Sequence, residues 1–263
     1  MDWLLQQDAN YLQWLVLALL QGLTEYLPVS SSAHLILVSE VLNWQDQGLV
    51  IDIAAHAGSL IAVMWYFKPE LTKLLQGNNW RVFNQLALAS IPLAIVGYLF
   101  ADFIETTLRS PLVIAIASIV FGILLYIADK LQQQNKQTPK PINLKQATII
   151  GFAQVCALIP GASRSGVTMS AAMALGFSRT SAARFSFLLA IPTLLMTTAY
   201  GALKIYKQPT EYNLIGVLIV FGVSFLASLL SIKLFLKIIE KINIAIFVWY
   251  RVILAILIIW FVV

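Results

Sequence analysis

Six long apolar runs constrain the fold of this chain more than any other feature of its sequence. Each run is long enough to cross a bilayer as a helix, which takes about 17–25 residues. Of the 263 residues, 60% are hydrophobic and only 11% are charged, whereas about 25% of the residues in a soluble domain are charged. The bilayer is therefore the solvent that suits this chain. The predicted spans are residues 50–67, 83–101, 111–128, 182–203, 213–235 and 245–263.

Two further apolar regions, residues 11–43 and 143–177, are interrupted by helix-breaking and polar residues. The first contains Gly22, Pro28 and three consecutive serines, and the second contains the stretch PGASRSG at residues 160–166. Short segments broken by proline and glycine at matching positions in two halves point to the binding site of repeat-built membrane proteins. We therefore predict an all-α polytopic membrane protein built as an inverted repeat. Each half is a re-entrant helical hairpin followed by three transmembrane helices.

The polar linker at residues 132–141 separates the two predicted repeats, residues 1–131 and 142–263. Because three crossings are an odd number, the second half enters the membrane from the side opposite to the first. The positive-inside rule supports this topology when the linker is cytoplasmic. Both termini then face outward, and the first hairpin opens outward. Twelve basic residues fall on the inside, namely Lys68, Lys73, Arg81, Lys130, Lys136, Lys140, Lys145, Arg179, Arg184, Lys233, Lys237 and Lys241. Three fall on the outside, namely Arg109, Lys204 and Lys207.

The first break combines a carboxylate, hydroxyls and an imidazole within fourteen residues. Gln21 and Glu25 are four residues apart, so a helix puts them on one face. Pro28 ends that helix, because proline disfavours helix at the preceding residue. Serines at residues 30–32 and then His34 follow. Capping of the next helix would explain one serine, but ionisable residues inside a membrane are costly and are functional candidates by default.

The second break has the composition of an oxyanion cradle. Its glycines let backbone amides turn towards a ligand, and the positive dipole end of the next helix starts there. Arg164 adds a planar guanidinium fork suited to phosphate. A capped helix start with Arg164 snorkelling to a headgroup is the alternative. The further phosphate-binding candidates of this stretch are Gly161, Ser163, Ser165, Gly166 and Thr168.

Other polar residues inside the apolar runs are weaker candidates. His56 and Ser186 are candidates for the wall of the same cavity, although a structural, hydrogen-bonded histidine is an equal alternative for His56. Tyr250 and Arg251 lie early in the last span and are interpreted as an aromatic-belt residue and a snorkelling arginine. Because the basic residues lie between apolar spans, they indicate orientation, and we expect no nucleic-acid partner.

The two breaks resemble the motifs of the undecaprenyl-pyrophosphate phosphatase family, the bacitracin-resistance type. Residues 21–34, QGLTEYLPVSSSAH, are similar to a first motif of Glu/Gln-x-x-x-Glu followed by a proline, serines and a histidine. Residues 160–166 are similar to the second motif. The similarity continues through residues 184–192 and Tyr250-Arg251, so it covers essentially the whole chain. Two positions depart from many members, which have Glu where this chain has Gln21 and Gly where it has Ala33.

The resemblance implies hydrolysis of the pyrophosphate on a C55 polyprenyl carrier, with a divalent cation, Mg²⁺ or Ca²⁺, as cofactor. Arg164, Ser30 and the amides of residues 161–168 would then hold phosphate. Glu25, with Gln21, would bind the metal or position a base. We interpret Ser31 as the nucleophile and His34 as its base or proton shuttle. An attack by His34 itself, or by metal-bound water, stays open.

The resemblance also implies a place in the bacterial cytoplasmic (inner) membrane, where the phosphatase recycles the lipid carrier for cell-wall synthesis. We expect a polyprenyl pyrophosphate lipid and the membrane as partners, allow for a homodimer, and expect the active site to be reached from the outer, periplasmic face. The alternative function is a transporter or flippase of polyprenyl phosphate lipid, since inverted repeats are also transporter architecture. A transporter binds phosphate but has no need of a nucleophile and a base. Another type of phosphatase is built on a Pro-Ser-Gly-His motif, and the sequence does not contain that motif.

Overall fold

The computed structural model describes residues 2–44, 48–76, 80–134, 141–208 and 212–263. These residues form α-helices, one 3₁₀ turn at Val155–Leu158 and connecting loops, and they contain no strand. The helices in chain order are α1 Asp2–Thr24, α2 Ser31–Val41, α3 Leu49–Tyr66, α4 Lys68–Leu75, α5 Trp80–Leu99, α6 Ala101–Thr107, α7 Pro111–Gln134, α8 Leu144–Gln154, α9 Arg164–Ala174, α10 Arg179–Lys207, α11 Leu214–Ile238 and α12 Ala245–Val262.

Six of these helices, α3, α5, α7, α10, α11 and α12, are long and apolar enough to cross a membrane. The six predicted spans are therefore confirmed as helices of sufficient length and apolarity, and most of their ends differ from the prediction by a few residues. The largest difference is at α7, which continues to Gln134. Its end is held because the fully buried Asp129 accepts hydrogen bonds from Arg179 Nε at 2.6 Å and Nη2 at 2.8 Å. The predicted linker at 132–141 thus begins later, and residues 135–140 lie outside the described residues.

Two broken helix pairs, α1–α2 and α8–α9, occupy the regions predicted as hairpins. The first break follows Thr24 and contains Pro28, and α2 begins after Ser30. The second pair starts at a capping box, in which the Asn143 side chain and the Gln146 backbone N–H are 2.9 Å apart. The 3₁₀ turn then leads into Pro160. The helix α1 begins at Asp2, earlier than the predicted residue 11. That the two pairs enter the membrane from opposite faces stays a prediction.

The first helix of each pair packs against a spanning helix of the other half of the chain, α1 against α11 and α8 against α5. A glycine makes each approach close, because small residues let membrane helices come together. A Cβ on Gly22 would lie 2.7 Å from the Ser224 carbonyl oxygen, and one on Gly151 would lie 2.5 Å from that of Ala89. The second helices, α2 and α9, both pack against α7, and α7 packs against α12. This arrangement brings the two breaks together.

Buried serines fix the end of α1 that leads into the first break. Ser228 and Ser231, both on α11, donate hydrogen bonds to the carbonyl oxygens of Gly22 at 3.2 Å and Leu23 at 2.8 Å. The Ser228 hydroxyl also lies 2.9 Å from that of Ser59 on α3. Such bonds across helices stabilise packing in an apolar environment by about 0.6–2 kcal/mol each. The last turn of α1 is therefore held in place just before Glu25.

Candidate functional site

The two breaks have the same backbone conformation at one serine each. Ser30 has φ 69° and ψ 102°, and Ser163 has φ 69° and ψ 109°. Positive φ in a residue with a side chain costs about 1–3 kcal/mol and is concentrated at functional sites. The two serines also make matching contacts, since the hydroxyl oxygens of Ser30 and Ser32 are 3.1 Å apart and those of Ser163 and Ser165 are 3.2 Å apart. The two loops therefore share the backbone conformation of one serine and one contact between hydroxyls.

In each loop, one serine hydroxyl forms a hydrogen bond with a backbone peptide group of the other loop. Ser32 Oγ accepts a hydrogen bond from the Gly161 amide at 3.3 Å, and Ser165 Oγ donates one to the Leu27 carbonyl at 2.8 Å. The difference in donor has a simple cause, because the peptide after Leu27 ends in Pro28 and has no N–H. A serine facing that peptide must donate to its carbonyl oxygen. The two loops are thereby joined across residues far apart in the sequence.

Arg251 binds both loops from the last helix. Its Nη1 donates to the Pro28 carbonyl at 3.3 Å, and its Nη2 donates to those of Gly161 at 2.9 Å and Ala162 at 3.0 Å. Its Nε donates to the Ser118 carbonyl on α7 at 2.9 Å. The side chain is fully buried, so the interpretation of Arg251 as a snorkelling residue is wrong. Backbone carbonyls supply the acceptors that a buried guanidinium needs.

Glu25 is the centre of the polar contacts between the loops. Its Oε1 accepts a hydrogen bond from Arg164 Nη2 at 2.8 Å, and the pair is almost buried. Its Oε2 accepts one from Gln21 Nε2 at 2.8 Å and one from Ser31 Oγ at 3.3 Å. The predicted shared face of Gln21 and Glu25 is confirmed by the first of these bonds. A hydroxyl and a guanidinium are thus held on the two oxygens of one carboxylate.

Arg164 begins α9 and is oriented by two further groups. Its Nη1 donates to the Ser186 carbonyl at 3.1 Å, and its guanidinium carbon lies 5.8 Å from the centroid of the Tyr26 ring. The Tyr26 hydroxyl in turn donates to the Ser59 carbonyl at 2.6 Å. The bonds from Arg164 to Ser186 and Glu25 use two of the five N–H groups of the guanidinium. The fork is fixed in direction and retains N–H groups for an anion.

A cavity of about 220 Å³ lies between the loops and is bounded by α3, α5 and α10. Its apolar wall includes Leu93, Leu158 and Leu194, and two threonines of α10, Thr193 and Thr197, also line it. Seven of the residues singled out from the sequence line the cavity, namely Glu25, Ser30, Ser31, His56, Gly161, Ser163 and Arg164.

The remaining candidates of the second break lie behind the cavity wall. Thr168 and Ser186 are fully buried and lie 2.7 Å apart by their hydroxyl oxygens, with Thr168 Oγ1 also donating to the Arg164 carbonyl at 2.8 Å. Ser186 is therefore not part of the cavity wall. The Ser165 hydroxyl is used by the first loop, as described above. Gly166 leaves room for Arg251, since a Cβ there would lie 3.0 Å from Arg251 Nη1.

His34 is held outside the cavity wall, with both ring nitrogens engaged. Its Nδ1 is 2.7 Å from the Ser30 carbonyl oxygen and its Nε2 is 2.6 Å from the Tyr250 hydroxyl. Because a carbonyl oxygen only accepts, Nδ1 is the donor, and in the neutral ring Nε2 then accepts from Tyr250. The two rings are stacked with centroids 5.4 Å apart. This geometry makes His34 a support for the Ser30 backbone.

The side-chain oxygens of Glu25 and Gln21 offer a small set of ligands for a divalent cation. Among the described residues, no three His, Cys, Asp or Glu side chains are grouped as a metal site. However, the Gln21 Oε1 atom is buried without a hydrogen-bond partner beside the Glu25 carboxylate. Mg²⁺ is commonly held by one or two carboxylates together with phosphate oxygens of the substrate. Glu25 and Gln21 therefore suit a cation that a phosphate ligand also binds.

The fold and the cavity define a polytopic helical membrane protein with a polar site between two broken helix pairs. The chain belongs to the family described as bacitracin resistance protein BacA, which it matches over residues 14–257. It is 44% identical over 253 residues to an undecaprenyl-diphosphatase of Teredinibacter turnerae, covering 92% of this chain and 96% of the relative. It is 45% identical over 258 residues to undecaprenyl-diphosphatase 1 of Pseudoalteromonas translucida, covering 94% and 97%. An undecaprenyl-diphosphatase of Campylobacter curvus is 42% identical over 254 residues, covering 92% and 95%. The family resemblance of the motifs is confirmed.

Three residues of the site were missed or misjudged in the sequence. In the sequence, Ser32 stands out only as one of a run of serines, Tyr250 is interpreted as an aromatic-belt residue and Arg251 as a snorkelling arginine. A signal for Arg251 does exist, because it is the only charged residue in the apolar run from Ala245 to Val262. An intramembrane charge is a functional candidate by default, and that rule applied to Arg251 as much as to Glu25.

Proposed function

We propose that this chain is an integral membrane phosphatase that hydrolyses undecaprenyl pyrophosphate to undecaprenyl phosphate and phosphate. The relatives described above carry the name undecaprenyl-diphosphatase and match the chain over nearly its whole length. The observation that carries the proposal is the Glu25 carboxylate, which joins the Ser31 hydroxyl and the Arg164 guanidinium at one cavity. A nucleophile, a base and a phosphate ligand are the three groups that this hydrolysis needs.

Ser31 is the proposed nucleophile, and Glu25 is the base that activates it. The Ser31 hydroxyl already donates to Glu25 Oε2, which is the contact expected between a nucleophile and its base. During attack the proton moves to Glu25 while Ser31 Oγ bonds to the terminal phosphorus. The bridging P–O bond breaks, and its electron pair leaves with undecaprenyl phosphate. Gln21 and Arg164 orient the base.

Arg164 stabilises the charge that develops on the transferred phosphoryl group. Arg164 lines the same cavity as Ser31, and preorganised donors of this kind are the largest single contribution in many enzymes. The first amides of α9, those of Arg164 and Ser165, have no acceptor within the helix. An anion at a helix N-terminus binds to such amides. Water then cleaves the phosphoserine, and Glu25 returns its proton to Ser31.

A Mg²⁺ or Ca²⁺ ion is part of this proposal. When bound, it neutralises charge on the pyrophosphate and so makes the bridging oxygen a better leaving atom. The carboxylate of Glu25 and the amide oxygen of Gln21 would hold it, because hard cations prefer oxygen ligands. This chain has one carboxylate here where many family members have two, so we expect weaker cation binding than a second carboxylate would give.

The size and lining of the cavity agree with a lipid pyrophosphate headgroup. A drug-sized ligand usually occupies a pocket of about 300–1,000 Å³, and this cavity is smaller, at about 220 Å³. It suits a pyrophosphate but not a C55 chain. The leucines of α5, the 3₁₀ turn and α10 form its apolar side. We propose that the first isoprene units leave the cavity past these leucines towards the lipid.

We infer an inner-membrane location with the cavity reached from the outer face. In the topology given by the basic residues, α3 runs inward while α5 and α10 run outward. His56 lies seven residues from the start of α3, and Thr197 lies ten residues from the end of α10. At 1.5 Å per residue these are depths of roughly 10–15 Å from the outer ends. His56 and Thr197 therefore belong to the outer half of the bilayer.

The inverted repeat is also proposed here, and the matching loops support it. The two serines with positive φ are 133 residues apart, while the packing glycines Gly22 and Gly151 are 129 apart. The difference of four equals the length of the 3₁₀ turn Val155–Leu158. The second break thus corresponds to the first with one short turn inserted. A flippase would also use such a repeat, but it would need no hydroxyl hydrogen-bonded to a carboxylate.

Phosphate release from undecaprenyl pyrophosphate by the detergent-purified protein tests the function. We expect the wild type to release phosphate, with a loss on adding chelator, and Ser31→Ala and Arg164→Ala to be nearly inactive. Ser39→Ala is the matched control, because Ser39 lies on the same helix as Ser31 but outside the cavity wall. Inactive wild-type protein, or full activity in both site variants, would overturn the phosphatase assignment.

A further inference from the structure

His56 is the one histidine that lines the cavity with Glu25, Ser31 and Arg164. It lies on α3, whereas the other three residues belong to the two loops or to the helices that begin there. Its Nδ1 is 2.8 Å from the Asp52 carbonyl oxygen one turn earlier. Because the carbonyl oxygen only accepts, Nδ1 carries the hydrogen, and in the neutral ring Nε2 keeps its lone pair. This tautomer makes Nε2 the basic atom of the side chain.

The face of α3 that carries His56 is turned towards the segment that carries Glu25. Ser59 is three residues further along α3, and residues three apart lie on one face of a helix. The Ser59 carbonyl accepts the hydrogen bond from the hydroxyl of Tyr26, the residue next to Glu25. This hydrogen bond between Tyr26 and Ser59 is evidence separate from the cavity lining. It places His56 one helical turn from Ser59, on the side of α3 that faces Tyr26.

The chain has two histidines, and their hydrogen bonds differ in a way that separates their roles. His34 donates from Nδ1 to Ser30 and accepts at Nε2 from Tyr250, so neither nitrogen is available. His56 uses Nδ1 in the same way, but its Nε2 has no partner among the described residues. Of the two imidazoles, only that of His56 combines an accessible basic nitrogen with a place in the cavity wall.

We propose that His56 is the general base for the second half of the reaction, in which water cleaves the phosphoserine. The inference rests on the proposed function. The water oxygen bonds to phosphorus while its proton passes to His56 Nε2. The P–Oγ bond breaks, and Ser31 Oγ takes back the proton that Glu25 holds. The imidazolium formed at His56 keeps its Nδ1–H on the Asp52 carbonyl and releases the extra proton with the departing phosphate.

There is a chemical reason for a separate base in each half of this reaction. After the first step Glu25 is protonated by Ser31, so it cannot also accept a proton from water. A second base lets water be deprotonated without Glu25 first losing that proton to solvent, and it must lie in the same cavity as the phosphoserine. General-base catalysis of such a step contributes about 10²–10⁴-fold. His56 supplies this base while Glu25 acts as the acid that returns the proton.

The test separates the two halves of the reaction in His56→Ala and His56→Gln. Wild type and variants are mixed with undecaprenyl pyrophosphate carrying a labelled terminal phosphate and quenched in acid at short times. We expect both variants to release one equivalent of undecaprenyl phosphate per enzyme at near the wild-type rate. Labelled phosphoserine at residue 31 then accumulates, and steady-state phosphate release falls by about 10²–10⁴-fold. Imidazole added to the buffer restores phosphate release in His56→Ala.

The controls distinguish this inference from the proposed function and from misfolding. Met64→Ala changes an exposed residue of the same helix, and it should leave both rates unchanged. A melting temperature near that of the wild type in His56→Gln excludes a folding defect. Wild-type phosphate release in both His56 variants, with Ser31→Ala inactive, would overturn the role of His56 alone. A loss of the first step equal to that of the second would also overturn it. Full activity in Ser31→Ala would overturn the proposed function instead.

Discussion

Arg251 donates a hydrogen bond from Nη2 to the carbonyl oxygen of Gly161 at 2.9 Å, from the last helix to the second break. The same side chain reaches Pro28 in the first break and Ser118 on α7. A guanidinium is suited to this, because its planar fork donates in several fixed directions at once. Together with the direct bonds between the loops, this buried cation fixes the relative position of the two loops, and so of Glu25 and Arg164.

Arg251→Met should lower both stability and activity. The substitution leaves four carbonyl oxygens without their donor, and each such buried group costs about 1–3 kcal/mol. We expect a lower melting temperature in detergent and a loss of phosphate release at temperatures where the protein remains folded. Arg251→Lys should recover part of the stability but little activity. Arg109→Met, at an exposed position, is the control, and equal melting temperatures for both Met variants would argue against the role of Arg251.

Gln21→Glu should strengthen the binding of the divalent cation. It adds a second carboxylate next to Glu25, at the position of a buried amide oxygen that has no partner. We expect the Mg²⁺ concentration for half-maximal activity to fall by about tenfold, which corresponds to about 1.4 kcal/mol. Gln76→Glu adds the same charge at an exposed position and serves as control. An unchanged Mg²⁺ requirement in Gln21→Glu would mean that this pair of side chains does not hold the cation.

Gly151→Ala should destabilise the contact between α8 and α5. The added Cβ would lie 2.5 Å from the Ala89 carbonyl oxygen, so one helix must shift. Overpacking of this kind costs about 1–3 kcal/mol, and we expect a lower melting temperature in detergent. Gly222→Ala is the matched control, since a Cβ there meets no atom within 4 Å. Equal melting temperatures for the two variants would contradict the close approach of these helices.

Reporter fusions after Gln134 and at the C-terminus should report opposite sides of the membrane. The inverted repeat with a cytoplasmic linker requires the first fusion to be inside and the second outside, because three crossings separate them. A fusion after Ser110 is a control and should agree with the C-terminus. The same side for the Gln134 and C-terminal fusions would rule out the inverted repeat.

The spans and both motifs could be predicted from the sequence because their signals are local. A run of apolar residues needs no partner to be identified, and proline with glycine breaks a helix wherever it occurs. The same holds for the face shared by Gln21 and Glu25, which is a property of helical spacing. Seven of the residues that line the cavity, Glu25, Ser31 and Arg164 among them, could therefore be predicted.

The contacts between the two halves could not be predicted in this way. The bond between Ser32 and Gly161 joins residues 129 positions apart in the sequence, and no local pattern identifies such a pair. The same reason applies to the burial of Thr168, whose hydroxyl meets Ser186 on the next helix. The sequence predicts that Thr168 binds phosphate, whereas the packing of α9 turns its hydroxyl towards α10.

The rate of phosphate release by Glu25→Gln tests the central claim most directly, because Glu25 joins the nucleophile to the phosphate ligand. The amide keeps the size of the side chain but removes the base and the ion pair with Arg164. At saturating undecaprenyl pyrophosphate we expect kcat to fall by about 10²–10⁴-fold. Glu70→Gln, which removes the more exposed ion pair with Arg184, should retain wild-type activity. A kcat for Glu25→Gln as high as that of Glu70→Gln would contradict the account.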